Sequence, residues 1–155
     1  MRIEHGYKRG DVERLCEISD ACFEGLERPP HADLKQMLSI SEVWIARAVN
    51  PGFAGDVKTF EAGTIFGYII VDRRLGAYLW QIAVDKKYQR RGIAGNLIRE
   101  SEGFCKKNGD DSMRLHVHAD NPSQRLYFDR GFRVYDIEPN YYGDGTKALM
   151  MKKAL

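Results

Sequence analysis

The chain has 155 residues, 43% of them hydrophobic and 30% charged, enough for one domain with a proper core. Its 24 Lys and Arg against 22 Asp and Glu leave a formal charge of +2, which gives no global electrostatic case for nucleic acid. No apolar run approaches the length of a membrane span, and Met1-Arg2-Ile3-Glu4-His5 lacks a signal-peptide core, so one cytoplasmic domain over residues 1–155 is expected, with no membrane partner.

Residues 3–5 read as a short first strand. Asp11 stands where an N-cap belongs, ahead of Val12, Leu15, Cys16, Ser19 and Phe23 at helical spacing. Pro29-Pro30 breaks the chain before a second helix, roughly residues 32–38. Residues 43–49 are strand-like and end at Asn50-Pro51-Gly52, and residues 53–62 read as a loop or hairpin tip. Strands follow over 64–71 and 78–84, then a long helix over roughly 92–107 with Ile93, Leu97, Ile98, Phe104 and Cys105 on one face. Residues 113–118 alternate Met, Leu and Val against Arg, His and His, a half-polar strand. Asn121 suits a cap with Pro122 at the first helical position, and Gly131 suits the stop. Residues 132–137 and 148–152 close the chain as strands. The order predicts an α/β fold, a single mixed central sheet flanked by helices. Cys16, Cys22 and Cys105 are odd in number and lack metal-ligand spacing, so they read as reduced thiols, and no metal is expected.

The segment Tyr88-Gln-Arg-Arg-Gly-Ile-Ala-Gly95 carries the most chemical information. A glycine-rich turn between a strand and a helix gathers unpaired N–H groups at the positive end of the helix dipole. Gly92 and Gly95 let a ligand approach the backbone, and Arg90 and Arg91 add charge, an arrangement suited to a phosphate or pyrophosphate. An ordinary strand-to-helix loop with a solvated basic patch is the alternative. A dinucleotide fingerprint fits less well, because Gly-x-Gly-x-x-Gly is missing, and no Gly-Lys-Ser/Thr follows for a nucleoside-triphosphate loop.

Gln89-x-x-Gly92-x-Ala94 matches the Gln/Arg-x-x-Gly-x-Gly/Ala motif, and the whole chain resembles the GCN5-related N-acetyltransferase (GNAT) superfamily. Asn121-Pro-Ser-Gln-Arg-Leu-Tyr127-Phe-Asp-Arg-Gly131-Phe132 is similar to that family's Asn…Leu-Tyr-x-x-x-Gly-Phe block. Asn140-Tyr141-Tyr142…Ala148-Leu-Met-Met resembles the ending of the RimI-like, protein Nα-acetyltransferase branch. Three segments differ from that branch: a shorter Asn121-to-Tyr127 interval, the loop Phe23-Glu24-Gly25-Leu26-Glu27, and a longer loop over residues 50–60.

The resemblance implies acetyl-CoA as cofactor with CoA as product, and direct attack by a primary amine in a ternary complex. Its cofactor contacts would be Gln89, Arg90, Arg91, Gly92, Ile93, Ala94, Gly95 and Asn121, with the main chain of Ile82, Ala83 and Val84. Tyr127 would protonate the departing thiolate. His116 would take the amine proton, directly or through a water that Tyr78 helps to hold. Phe23, Leu26, Tyr141 and Tyr142 would line the acceptor groove. A protein α-amine, with a pKa of roughly 7.7–8.0, costs only about 1 kcal/mol to neutralise at pH 7, against about 4.5 kcal/mol for a lysine. A modest base such as histidine therefore suffices for an α-amine.

The implied acceptor is a protein or peptide N-terminus, and the protein a monomer or homodimer. Glu24 and Glu27 keep a small cationic amine open as the acceptor. A non-catalytic acyl-CoA-binding module would have lost Tyr127 and the polar residues of strand 113–118, and neither is lost. For His116, His118 and Tyr78 the plain alternative is strand packing, and for Tyr127 core packing. Tyr141 and Tyr142 could equally be surface residues of a hairpin.

Overall fold

The computed structural model describes residues 1–54 and 57–155. Among the described residues nine strands and four α-helices follow in chain order: β1 (Arg2–His5), α1 (Val12–Cys22), α2 (His31–Ile40), β2 (Glu42–Arg47), β3 (Gly52–Ala54) and β4 (Val57–Phe60). Then come β5 (Ile65–Asp72), β6 (Tyr78–Val84), α3 (Ile93–Lys107), β7 (Ser112–His118), α4 (Gln124–Asp129), β8 (Arg133–Glu138) and β9 (Ala148–Ala154). Seven strands form one sheet in the order β1-β2-β5-β6-β7-β9-β8, antiparallel everywhere except β6–β7. The segment expected as a loop or hairpin tip is a separate two-stranded hairpin, β3–β4. No described helix is long and apolar enough to cross a membrane.

Side-chain alternation explains the layering. Val43 and Ile45 of β2, with Tyr68 and Ile70 of β5, meet Leu15 and Ile18 of α1 and Leu34 and Leu38 of α2 on one face. Trp44, Ala46, Ile69 and Val71 face the other way and pack with Ile93, Leu97, Ile98 and Cys105 of α3. The central strand β5 is buried on both faces from Ile65 to Val71 and reads as a continuous apolar run. A buried hydrogen-bonded row crosses this packing: the Tyr68 hydroxyl donates to Gln81 Oε1 (2.7 Å), and Gln81 Nε2 donates to the Ser19 hydroxyl (3.3 Å).

Two capping expectations are corrected. Asp11 precedes α1, but its side chain accepts from Lys8 N (2.8 Å) and pairs with Arg47 (2.9 Å) instead of capping the helix. Asn121 does not cap a helix begun by Pro122. Its Oδ1 accepts from Ser123 N (2.8 Å) in an Asx-turn, and α4 starts only at Gln124. Gly131, with φ of 92°, supplies the expected stop.

Gly67 on β5 lies where β6 comes closest. A Cβ there would stand 2.5 Å from Ala83 O and 2.9 Å from Val84 Cα, both backbone atoms with no freedom to yield. Gly67→Ala is expected to lower stability by about 1–3 kcal/mol through overpacking. Thermal unfolding checks it, and an unchanged midpoint would show that β6 can shift at this point.

Candidate active site

The site begins where β6 ends. Asp85 accepts Lys87 N (2.9 Å) and pairs with Arg14 of α1, which fixes the short turn Lys86–Tyr88. Gln89 Nε2 donates to Val84 O (2.9 Å), folding the loop back on the strand. Arg90 (φ 61°) and Gly92 (φ 76°) are both left-handed, so the chain curls before α3 starts at Ile93. The first helical bond runs from Asn96 N to Gly92 O, and helix geometry leaves the N–H groups of Ile93, Ala94 and Gly95 without intrahelical partners. A Cβ on Gly92 would meet nothing within 4 Å, so the space over this turn is open. Gly95 instead makes room for Arg130, whose guanidinium a Cβ there would overlap. Arg130 thus sets a further cation against the same helical turn.

Beside this turn the sheet divides. β6 and β7 share a single register pair, Tyr78↔Arg114, with Arg114 N donating to Ala77 O (3.0 Å). Beyond it the two parallel strands diverge. Asp85 N donates to Phe66 O (2.8 Å), so alternation turns the N–H groups of Ile82 and Val84 to the opposite edge, toward the split. Val84 O on that edge also accepts from the Cys22 thiol (3.2 Å), whose pKa is raised chiefly by burial.

Two cavities meet at the split. The larger, about 1060 Å³, runs from Lys86, Gln89, Arg90 and the α3 turn past Ile82, Ala83 and Val84 to Asn121 and Tyr127. The smaller, about 520 Å³, is walled by Tyr78, Trp80, Gln81, His116, Tyr141 and Tyr142. Phe23, Glu27, Ile82, His118, Asn121, Tyr127 and Tyr142 line both.

Tyr127 sits on α4 at this junction, only 7% exposed, and its hydroxyl has no hydrogen-bond partner among the described residues. Burial first, with Tyr142 adding, raises its pKa, so the group holds its proton. On the polar face of β7, His116 Nδ1 lies 3.0 Å from the Tyr78 hydroxyl. Its Nε2 is 3.4 Å from Glu138 Oε2, ion-pair range without hydrogen-bond geometry, and its ring stacks on Tyr141 with centroids 4.6 Å apart. Burial, then Tyr141, raises the Tyr78 pKa. Tyr142 is pushed up to about 12 by burial, then Glu27 and Tyr141. Among the described residues no group of three or more His, Cys, Asp or Glu is arranged to hold a metal.

Most of the residues singled out from sequence therefore gather on these two cavities. Tyr78, His116 and Tyr141 line the smaller one alone, while Gln89, Arg90, Gly92, Ile93, Ala94 and Gly95 line the larger one alone. Arg91 lines neither: its guanidinium lies 5.7 Å from the Tyr88 ring centroid and Nη2 is 3.5 Å from Lys87 O. The Leu26 side chain lies outside the described residues. Sequence reading missed Gln81, Cys22, Glu138 and Arg130. Gln81 was detectable as a polar residue inside the apolar run of β6. The other three carry no local signal.

The acetyltransferase (GNAT) domain family matches residues 40–155. The chain is 32% identical over 119 residues to GCN5-related N-acetyltransferase 4, chloroplastic, of Arabidopsis thaliana, covering 68% of this chain and 40% of that protein. It is 37% identical over 67 residues to the [Ribosomal protein bS18]-alanine N-acetyltransferase of Escherichia coli, covering 43% of this chain and 45% of the relative. The chain spans about half the length of the curated relatives it matches. Among solved structures, Arabidopsis thaliana NAA60 in complex with a bisubstrate analogue superposes with a TM-score of 0.80 at 19% identity, over 99% of both chains. A Bacillus subtilis acetyltransferase in complex with CoA gives 0.75 at 20% identity, over 99% of this chain and 98% of the other. At such identities the structures speak for the fold alone. The family match takes in the divided strands, the glycine turn and α4 with its tyrosine, and the chain belongs to the GNAT acetyltransferase family.

Proposed function

We propose that this protein is an acetyl-CoA-dependent N-acetyltransferase that moves an acetyl group to a primary amine, a protein or peptide N-terminal α-amine. The observation that carries the reading is the meeting of two cavities at the β6–β7 split, with an unpartnered tyrosine hydroxyl at the junction. One cavity suits a phosphate-bearing donor and the other an amine. The relatives named for acetylation of a ribosomal-protein alanine and of protein α-amines support the acceptor class. The three free cysteines fit a reducing, cytoplasmic setting.

The open space over Gly92, the unpaired N–H groups of the first α3 turn and the cations Lys86, Arg90 and Arg130 fit a pyrophosphate. Bound acetyl-CoA supplies an activated acyl thioester. Val84 and Ile82 offer preorganised N–H donors on the split edge, suited to the pantetheine amide and to negative charge developing on the acyl oxygen. The protonated Tyr127 hydroxyl donates to the sulfur as the C–S bond breaks. The amine proton passes to Tyr78 oxygen, directly or through a water, while the Tyr78 proton moves to His116 Nδ1. The amine loses one proton and His116 gains one, Tyr78 ends as it began, Tyr127 gives its proton to the sulfur, and the positive charge ends on the imidazole beside Glu138.

Thiol release from acetyl-CoA, with mass spectrometry of the peptide product, tests the reading. Peptide acetylated at the α-amine supports it, and the absence of any acetylated amine overturns it. His116→Ala is expected to lower kcat for a peptide α-amine by roughly 10²-fold at saturating acetyl-CoA, and to shift the acidic limb of the pH–rate profile. If Tyr78 and His116 form one relay, Tyr78→Phe combined with His116→Ala should be no slower than the worse single variant. An unaltered rate and profile in His116→Ala would reduce the ring to a strand residue.

A further inference from the structure

Resting on the acetyl-transfer reading, we infer that Glu27 selects the acceptor: the site takes an amine that carries a second positive charge a few bonds from the reacting nitrogen. Glu27 closes the 3-10 turn Gly25–Glu27 and lines both cavities. Its ion-pair partner is His118, with Nδ1 3.8 Å from Oε1, too long for a hydrogen bond. That same Nδ1 accepts the Asp120 N–H at 3.1 Å, so it presents a lone pair to Glu27 and no proton. No Lys or Arg among the described residues pairs with this carboxylate. Glu27 therefore places a carboxylate at the cavity junction with no Lys or Arg paired to it among the described residues.

A second observation points to the same place. Tyr127, more than nine-tenths buried, lines the same junction, and its hydroxyl has no hydrogen-bond partner among the described residues. The ring is packed in the protein while the hydroxyl is left for a group that enters the cavities. The distribution of charge supplies the sign. The smaller cavity has no Lys or Arg in its wall, and Glu138 stands beside His116. Lys86 and Arg90 lie on the larger cavity, where an anionic donor fits. An anion is matched on the donor side and a cation on the acceptor side. A peptide with a basic residue behind its α-amine carries that chemistry, and so does a free polyamine.

The test measures thiol release from acetyl-CoA with three peptides that differ only in Lys, Gln or Glu at their second position, and with spermidine. The expected kcat/KM for the Lys peptide exceeds that for the Gln peptide by roughly 5–10-fold, with the Glu peptide slowest. Glu27→Gln should bring the Lys:Gln ratio toward unity, and about 0.5 M salt should shrink it in the wild-type protein. Spermidine turned over faster than the Lys peptide assigns a polyamine as the source of the second charge, and the reverse order assigns a peptide. Either order supports the inference when Glu27→Gln lowers the rate relative to the Gln peptide. Equal kcat/KM for all three peptides, with a spermidine rate that Glu27→Gln leaves unchanged, overturns the selection by Glu27 and leaves acetyl transfer standing. No thiol release with any acceptor overturns the acetyl-transfer reading, and this inference with it.

Discussion

Gly92→Leu is expected to weaken acetyl-CoA binding by at least about 10²-fold, the loss of two charge-assisted hydrogen bonds, while the domain stays folded. Two properties of this residue separate the effects. Its φ of 76° strains any L side chain, at roughly 1–2 kcal/mol, and that cost falls on stability in Gly92→Ala as well. The direction of its missing Cβ is open, with no protein atom within 4 Å, so bulk placed there obstructs only a ligand. Comparing the two variants isolates bulk from strain: both should unfold slightly earlier, and leucine should cost far more affinity than alanine. Calorimetry is the measurement. A wild-type protein with no affinity for acetyl-CoA would remove the basis of the proposed function, and a leucine variant that binds normally would move the phosphates elsewhere.

Tyr127→Phe should lower kcat by about 10²–10⁴-fold and leave acetyl-CoA affinity nearly intact. The hydroxyl has no partner among the described residues, so its removal breaks no internal hydrogen bond. The ring keeps its edge-to-face contact with Phe132, centroids 5.9 Å apart, so packing survives. What is lost is a proton donor needed when sulfur departs, an interaction stronger in the transition state than in the ground state. Burial keeps that donor protonated across the working range, so the basic limb of the pH–rate profile should not report Tyr127. Unchanged turnover in the folded variant would make Tyr127 a packing residue.

The alternation of β7 and the amphipathic face of α3 were readable because each records a local contrast between core and solvent. The glycine turn was readable for a related reason: left-handed backbone and close approach leave few residue choices. Strand order was not readable. β9 inserts between β7 and β8, leaving β8 as an exposed edge strand, and no local pattern records which neighbour a strand takes. Caps misled for a physical reason, since Asp11 found a stronger partner in Arg47, 36 residues away. The relation of His116 to Glu138 and of His118 to Glu27 likewise joins distant segments, as does Arg130 against Gly95. Arg91 looked equivalent to Arg90 in sequence, and the left-handed turn at Arg90 sends the two side chains to different surfaces.

The main sheet consists of two hydrogen-bonded rafts, β1-β2-β5-β6 and β7-β9-β8, touching along a seam fastened at Tyr78↔Arg114. Amides along the open length of that seam lack strand partners, so those of Ile82 and Val84 should exchange hydrogen with solvent quickly in the free protein. Asp85, bonded across to Phe66, should exchange slowly. A donor whose amide groups bond to this edge would behave as an eighth, non-peptide strand and slow exchange at Ile82 and Val84. Occupancy of the site would then register in the backbone itself, as a tie between two halves that the polypeptide alone leaves fastened at one end.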